Sequence, residues 1–427
     1  MAPTTAVSSS KQKIYNSLRR WRGSLDPDDR VLFKQFAEET LNRLRGPFLA
    51  HHPPKEVLTF LEEAFQFARQ RVPKEIKAEL RARPSKGLAV FNIMDDQPFI
   101  VDTIRMFLSN GKADYWGGFN LVFRATRDEG GQLLGVGDDD GTPESLVMLE
   151  ADAGHLLRDP KQAIQTIINN LTLARAMVSD FKAMTRLVER AVEKCQVLED
   201  RRPDQAESMR ETAAFLKWML RDNFVFMGMN DSASALGMQS VASPFVRSSD
   251  GEWSRAHSPG TVQVRKSATE SPVHRSGRID EILVTIGDPE DAHGMQLFIR
   301  GMFTYRAVTQ PSRNVPILRR VLARILEDQT SAPGSYRYKG IANVFDSLPT
   351  EFLFTATHQA INEMVDLVFE SEQQQEVGVT FLMTGADSAF CLVAMPKTQF
   401  GDQIRRGVEE QIVDTLSASY CDHGIFV

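Results

Sequence analysis

A single stripe of apolar residues sets the scale of this fold. Ile164, Ile168, Leu171, Ala174, Val178, Phe181, Leu187, Val188, Ala191 and Cys195 recur at helical spacing from Pro160, which suits a first helical turn, to about Leu198. At ~1.5 Å per residue such a helix is roughly 55–60 Å long, more than one small sheet can cover. Its far half is therefore expected to pack against another domain or another subunit. The length of 427 residues points the same way, since one core of ordinary size does not hold it. About three units are expected.

Patterning on either side of that helix changes character. Ile14 to Leu80 reads as helical, with Leu32, Phe33, Phe36, Leu41 and Leu44, and then Val57, Phe60, Leu61, Phe65 and Ala68, at helical spacing. The prolines of "GPFLAHHPPKE" break it in two. "ARPSKG" is a linker, after which "GLAVFNIM" reads as a buried strand, Pro98 to Leu108 as a short helix, and "ADYWGGFNLVFRATRD" and "ESLVMLEAD" as strands around an acidic, Gly-rich turn. That is β-α-β-β, followed by the long helix.

Beyond "EDRRPDQ", a helix from Ser208 to Leu220 leads into "DNFVFMGM", and "IDEILVTIG" and "HGMQLFIRGMFT" add strands to a sheet with few helices. Helices resume at Pro316 to Leu326 and Ile341 to Leu348. A last α-β-β-α-β pattern follows: helix Thr355 to Phe369, strands "VGVTFLMT" and "AFCLVAMP" around a turn with Asp387, helix Gln403 to Leu416, and a final strand beginning at "GIFV".

Composition excludes several classes of protein. Hydrophobic content of 42% with 25% charged residues is that of an ordinary globular chain. A net charge of −6 argues against a generic nucleic-acid surface, and the one basic run, "RRWR" at Arg19 to Arg22, reads as a solvated helix face over Trp21. Cys195, Cys391 and Cys421 lie far apart in apolar surroundings, so neither a disulfide framework nor a thiolate metal site is expected. No signal-peptide core or membrane span is legible, which makes a cytoplasmic location the expectation.

No G-x-G-x-x-G follows a strand, and no P-loop, H-E-x-x-H, EF-hand loop or G-x-S-x-G elbow occurs. Three carboxylates make "GVGDDDG", Gly135 to Gly141, a solvated loop rather than a phosphate cradle, and His51 and His52 lack further ligands at metal spacing. Catalytic and metal-ligating residues are therefore expected to be absent. "SPVHRSGRIDE" places His274, Arg275, Arg278 and Asp280 close together, either as an anion-holding cluster or as structural hydrogen bonding at a strand entry. "NIMDDQPF" places Asp95, Asp96, Gln97 and Pro98 between strand and helix, where acids and a proline at the first turn make a plain helix start.

Five segments carry a more specific signal. "NIMDDQPFIVDTIRMFL", "AAFLKWMLRDNFVFMGM", "SPVHRSGRIDEILV", "RNVPILRRVLARILEDQTSAPGSYRYKGIANVFDSLPTEFLF" and "FCLVAMPKTQFGDQIRRGVEEQI" occur in the order in which similar segments occur in the N-terminal half of the large bacterial NAD-specific glutamate dehydrogenases. The resemblance runs from about Gly87 to Ile412. It departs from the family pattern where "FMGMND" and "MPKTQF" replace segments that carry a Tyr and an Arg, which puts in doubt any ligand that used those handles.

The resemblance implies an α+β fold of tandem ACT-like (ferredoxin-like βαββαβ) modules with an N-terminal helical segment and a central β-rich unit. The implied divisions are residues 1–82, 83–200, 201–330 and 331–427, the last truncated at its C-terminal end. In the family this region precedes the dehydrogenase domains, and neither a Gly-rich catalytic lysine segment nor a dinucleotide-binding turn is found here: Lys86-Gly87 and Lys339-Gly340 are isolated. No cofactor is therefore expected in this chain, with NAD held by the parent enzyme, which oxidises L-glutamate to 2-oxoglutarate and ammonia. A regulatory and assembly region inactive alone is implied, with the catalytic half of the parent chain and further copies of itself as partners, and neither nucleic acid nor membrane. The resemblance also gives the acidic corner a second meaning. Asp95, Asp96, Gln97 and Pro98 stand where an ACT-like module holds an amino-acid effector; a scaffold that binds no ligand is the other reading.

Overall fold

The computed structural model describes residues 3–425, except 22–24, 42, 45–47, 50–51, 84–86, 242–260, 289–293, 384–388, 419–420 and 422. The chain divides into two units, residues 1–179 with 271–277, and residues 180–270 with 278–427.

In the first unit, α1 (Pro3–Arg20), α2 (Pro27–Leu41) and α3 (Pro54–Ala68) precede β1 (Lys77–Ala82), β2 (Leu88–Asp95), α4 (Ile100–Asn110), β3 (Asp114–Arg127), β4 (Leu133–Val136), β5 (Thr142–Asp152) and the start of α5 (Pro160–Arg201). The strands form one antiparallel sheet in the order β1-β2-β5-β3-β4. β2 reads as an apolar run interrupted only by the buried Asn92 before its terminal Asp95, because both its faces are buried. Ala89, Phe91 and Ile93 meet the phenylalanine-rich core of α1 to α3, while Leu88, Val90 and Met94 meet Ile100, Ile104 and Leu108 of α4 and Ile167 and Leu171 of α5. Trp21 packs on Phe33 with ring centroids 4.3 Å apart, so the basic run does cover an aromatic.

Two elements differ from the sequence expectation. Helix formers make "KAELRA" look like a continuation of the N-terminal helices to Leu80, yet Lys77 to Ala82 pair with β2 in register from Lys77↔Ile93 to Ala82↔Leu88. A buried strand needs its edge groups bonded, and the Lys77 ammonium and Arg81 guanidinium lie over the rings of Phe67 and Phe91. Tertiary pairing overrides local propensity there. In α5 Leu171, Ala174, Leu187, Val188, Ala191 and Cys195 are buried as expected, but Ala163, Ile167 and Met177 are buried in place of the half-buried Ile164, Ile168 and Val178, and Phe181 is 49% exposed. Met184, Leu187, Val188, Ala191, Cys195 and Leu198 then join the core of the second unit.

The second unit adds α6 (Ala206–Trp218), β6 (Phe224–Asn230), β7 (Ala235–Gly237), β8 (Val262–Glu270), β9 (Arg278–Ile286) and β10 (Met295–Phe303), with sheet order β7-β6-β10-β9-β8. Helices α7 (Leu318–Asp328), α8 (Tyr336–Ser347), α9 (Thr350–Thr355) and α10 (His358–Gln374) follow, then β11 (Gly378–Met383), β12 (Ala389–Ala394) and α11 (Asp402–Leu416). β11 and β12 form a sheet of their own. The turn with Asp387 and residues 426–427 lie outside the described residues; Gly424 and Ile425, where a final strand was expected to begin, are in none. Cys195 and Cys391 are free thiols. No helix among the described residues is long and apolar enough to cross a membrane.

Candidate functional site

The antiparallel register sets Asp95, at the end of β2, directly opposite Glu144 on β5. Like charges facing each other across a sheet repel, and an arginine from the loop after α3 resolves the conflict. Arg71, 2% exposed at its side chain, donates Nη1 to Glu144 Oε1 at 2.8 Å and Nη2 to Asp95 Oδ1 at 2.6 Å. Arg127 of β3 donates Nε and Nη2 to the two oxygens of Glu144, each at 2.7 Å. Gly131 lets the loop come this close: its φ is +87°, and the Arg71 N–H donates to its carbonyl at 3.0 Å, where a side chain would strike the Arg71 backbone. Arg175 of α5 adds a further cation, its Nη1 donating to the Lys74 carbonyl at 2.7 Å. Burial lowers the Arg175 pKa, the Asp95 charge opposes that shift, and Arg71 reinforces it.

Asp96, by contrast, is exposed and its carboxylate has no partner among the described residues; only its backbone N–H is engaged, donating to the Pro143 carbonyl at 3.0 Å. Gln97 Nε2 is buried without a partner. Phe99, the residue before α4, sits at φ +72° and offers no side-chain cap, so the first-turn amides of α4 remain open up to Thr103, whose N–H donates to the Phe99 carbonyl at 3.0 Å. A left-handed phenylalanine costs about 1–2 kcal/mol. The His274 ring lies edge-on to Phe99 at 5.0 Å, with Nδ1 unpartnered. Burial, then the neighbouring Arg275, lower the His274 pKa against a smaller raising effect of Asp102, so the ring is neutral at pH 7. Within one turn stand a free carboxylate, an open helix start, a buried amide donor and an aromatic wall.

Asp95–Pro98 and His274–Arg275 therefore approach one another through Phe99, in the first unit. Arg278 and Asp280 belong to β9 in the second unit. There Glu281 is flanked in register by Arg265 of β8 and Arg300 of β10, each 2.8 Å away. The next row pairs Asp280 with Lys266 at 2.7 Å, and Asp280 Oδ2 accepts from the Phe303 N–H at 3.0 Å. Burial pushes the Asp280 carboxyl up to about 6 despite Lys266. Arg71, Arg127, Glu144 and Phe99 carry no local motif that marks them, since their partners lie far along the chain.

Among the described residues, no group of three His, Cys, Asp or Glu side chains could hold a metal. His52 is wedged against Phe48 and Phe60 and lies 3.4 Å from Glu56 and Glu150; His51 falls outside the described residues. Burial drives the Cys195 thiol up to about 12, which removes it as a nucleophile at neutral pH.

Comparison with known proteins follows these elements. Residues 36–167, from α2 through the first sheet into α5, match the glutamate dehydrogenase ACT1 domain. Residues 315–373, which hold α7 to α10, match helical motif 1 of glutamate dehydrogenase. Among curated proteins, the NAD-specific glutamate dehydrogenase of Halomonas elongata is 25% identical over 362 residues, covering 78% of this chain and 22% of the relative. That of Pseudomonas aeruginosa is 22% identical over 369 residues, covering 80% of this chain and 23% of the relative. The chain thus spans less than a quarter of the length of these relatives.

Proposed function

Taking the chain as an N-terminal region of the NAD-specific glutamate dehydrogenase family, we propose that it regulates and assembles such an enzyme, and that the corner between β2 and α4 receives an amino-acid effector. The parent reaction would be oxidation of L-glutamate by NAD to 2-oxoglutarate and ammonia, with NAD held elsewhere in the enzyme. The observation that carries the effector reading is the set of unmatched groups in one turn: Asp96, the buried Gln97 Nε2 and the open start of α4. An α-carboxylate suits free amides at the positive end of a helix, an α-ammonium suits Asp96, and Phe99 with neutral His274 suits a side chain beside them.

Asp95 has a different part. Paired with Arg71, it ties the corner to Glu144 in the middle of the sheet. Ligand charge at the corner would thereby bear on a buried ion network, and binding would shift the enzyme only as far as the effector prefers one arrangement of that network. Titration calorimetry of the folded chain with a panel of amino acids tests the reading. Binding by at least one member is expected; no heat from any member overturns the effector site. Steady-state assay of the chain with glutamate and NAD is expected to give no turnover.

The apolar hairpin of β11 and β12 favours an assembly role as well, and it stands whether or not an effector binds.

A further inference from the structure

Two residues other than glycine meet at the corner with left-handed backbones. Phe99, just before α4, has φ +72°, and His274, in the loop between β8 and β9, has φ +70°. Bulky residues hold such conformations only where surrounding contacts impose them. The two rings touch edge-on, with centroids 5.0 Å apart. Residues Ser271–Gly277 count with the first unit, although β8 and β9, which they join, belong to the second. The loop is framed from within: the Ser271 N–H donates to the Gly277 carbonyl at 2.9 Å, and Ser271 Oγ donates to the Val273 carbonyl at 2.6 Å. Ser271 and Val273 are fully buried, while Arg275 and Ser276 are exposed. His274 stands between that frame and the exposed tip, half-buried.

The chemistry of the imidazole makes this contact sensitive to a proton. Its Nδ1 is shut off from water and has no partner among the described residues. In a neutral ring that atom can be a bare lone pair; in a protonated ring it is a charged donor with no acceptor, which is far more costly. Two other charges act on the ring. Burial opposes its protonation first and Arg275 of the same loop next, while Asp102, in the first turn of α4, favours it. Together they hold the imidazole below its ordinary 6.5. A docked ring that binds its proton less tightly than a free one is at full strength above that ordinary value, and its docking weakens as pH falls below it.

We infer that His274 and Phe99 form a proton-operated latch on the start of α4: the neutral imidazole holds Phe99 left-handed, and a proton on the ring releases it. Only the ring swings out, because the buried Ser271 and Val273 keep the loop frame in place. Release lets Phe99 return to an ordinary backbone conformation, and that redraws the entry to α4, since the Phe99 carbonyl accepts from the Thr103 N–H at 3.0 Å. The latched state is the one whose first-turn amides stand open beside Gln97. The latch acts with the corner empty; its consequence for an effector, tighter binding above pH 6.5 than below it, rests on the effector reading proposed above.

Fluorine NMR of the whole chain, with 4-fluorophenylalanine placed at position 99 alone, tests the latch between about pH 8 and about pH 5. A single transition of the fluorine signal is expected, with its midpoint below 6.5, and it is expected to vanish in His274→Gln, whose amide does not titrate. Arg275→Gln removes a charge that opposes the proton and is expected to move the midpoint up; Asp102→Asn removes one that favours it and is expected to move the midpoint down. A histidine that only packs against Phe99 produces none of these shifts. A fluorine signal that stays flat, or a transition that survives in His274→Gln, overturns the latch. Should His274→Gln not fold, the other two variants decide, and a midpoint that neither of them moves overturns it. Calorimetry with the amino-acid panel at about pH 8, where the latch is shut, tests the effector reading separately: no binding there sinks that reading, and the fluorine signal still decides the latch.

Discussion

Both five-stranded sheets bury a glutamate between two arginines, and they neutralise it in different ways. In the second sheet the charges alternate in register, Arg265–Glu281–Arg300 across three neighbouring strands, so the ladder that sets the strand pairing also sets the ion pairs. In the first sheet the ladder places two carboxylates opposite one another, Asp95 and Glu144; Arg127 at the end of β3 compensates Glu144 alone, and the cation that joins the pair is Arg71 on a loop. The second arrangement is complete within the sheet. The first is shared with the corner, since one of the Arg71 partners is the 44%-exposed Asp95. A charged row built into a sheet is rigid structure; a row finished by a loop can answer to what binds beside it.

Truncating the two glutamates should separate these roles by size. Glu281→Ala removes the carboxylate that Arg265 and the 1%-exposed Arg300 share, and a broken buried pair costs about 3–5 kcal/mol. Glu144→Ala also deletes a buried partner, but it relieves the repulsion with Asp95, which still holds Arg71, while Arg127 keeps the carbonyls of Ala68 and Gly131. A smaller loss, about 2–3 kcal/mol, is expected. Urea unfolding of both variants measures this. Equal losses would erase the distinction between the two sheets.

Acid titration sharpens it further. Asp280 has its carboxyl raised from an ordinary 3.8 to about 6. A raised acid binds its proton more tightly folded than unfolded, so it adds stability at low pH and loses it as pH climbs from about 4 through 6. The full span is at most about 3 kcal/mol. Comparing thermal midpoints of wild type and Asp280→Asn at several pH values isolates the contribution. The variant is expected to gain on the wild type as pH rises across that window, and a pH-independent difference refutes it.

How much of this was legible in the sequence depends on the range of the interactions involved. β2 and the long helix α5 were legible because burial on two faces, and a stripe of more than ten turns, leave patterns in adjacent residues. β1 was not, since Ala, Glu, Leu and Arg are helix formers and only its pairing with β2 makes it a strand. Nor was the network at the corner: Arg71 lies 24 residues from Asp95 and 73 from Glu144, and nothing local announces either pairing. The same limit hid the difference between Asp95 and Asp96, which look interchangeable until the register of β2 commits one of them. Phe181 shows the converse error, a residue with the right spacing on the wrong track of its helix.

That last pair of acids gives the smallest effect on stability and the most telling one on function. Asp95→Asn leaves a hydrogen-bond acceptor facing Arg71 but removes a charge from a half-exposed pair, so a loss of about 0.5–1 kcal/mol is expected. Asp96→Asn touches no side-chain partner among the described residues and should leave the unfolding midpoint within about 0.5 kcal/mol of wild type. In calorimetry with whichever amino acid binds the wild type, the order should invert. Asp96→Asn is expected to weaken binding at least tenfold, on the order of 1.4 kcal/mol or more, through loss of the ammonium partner, while Asp95→Asn acts only through Arg71 and weakens it less. If both variants bind equally well, the ammonium is not held by Asp96, and the corner is left as the helix start that its acids and proline would make on their own.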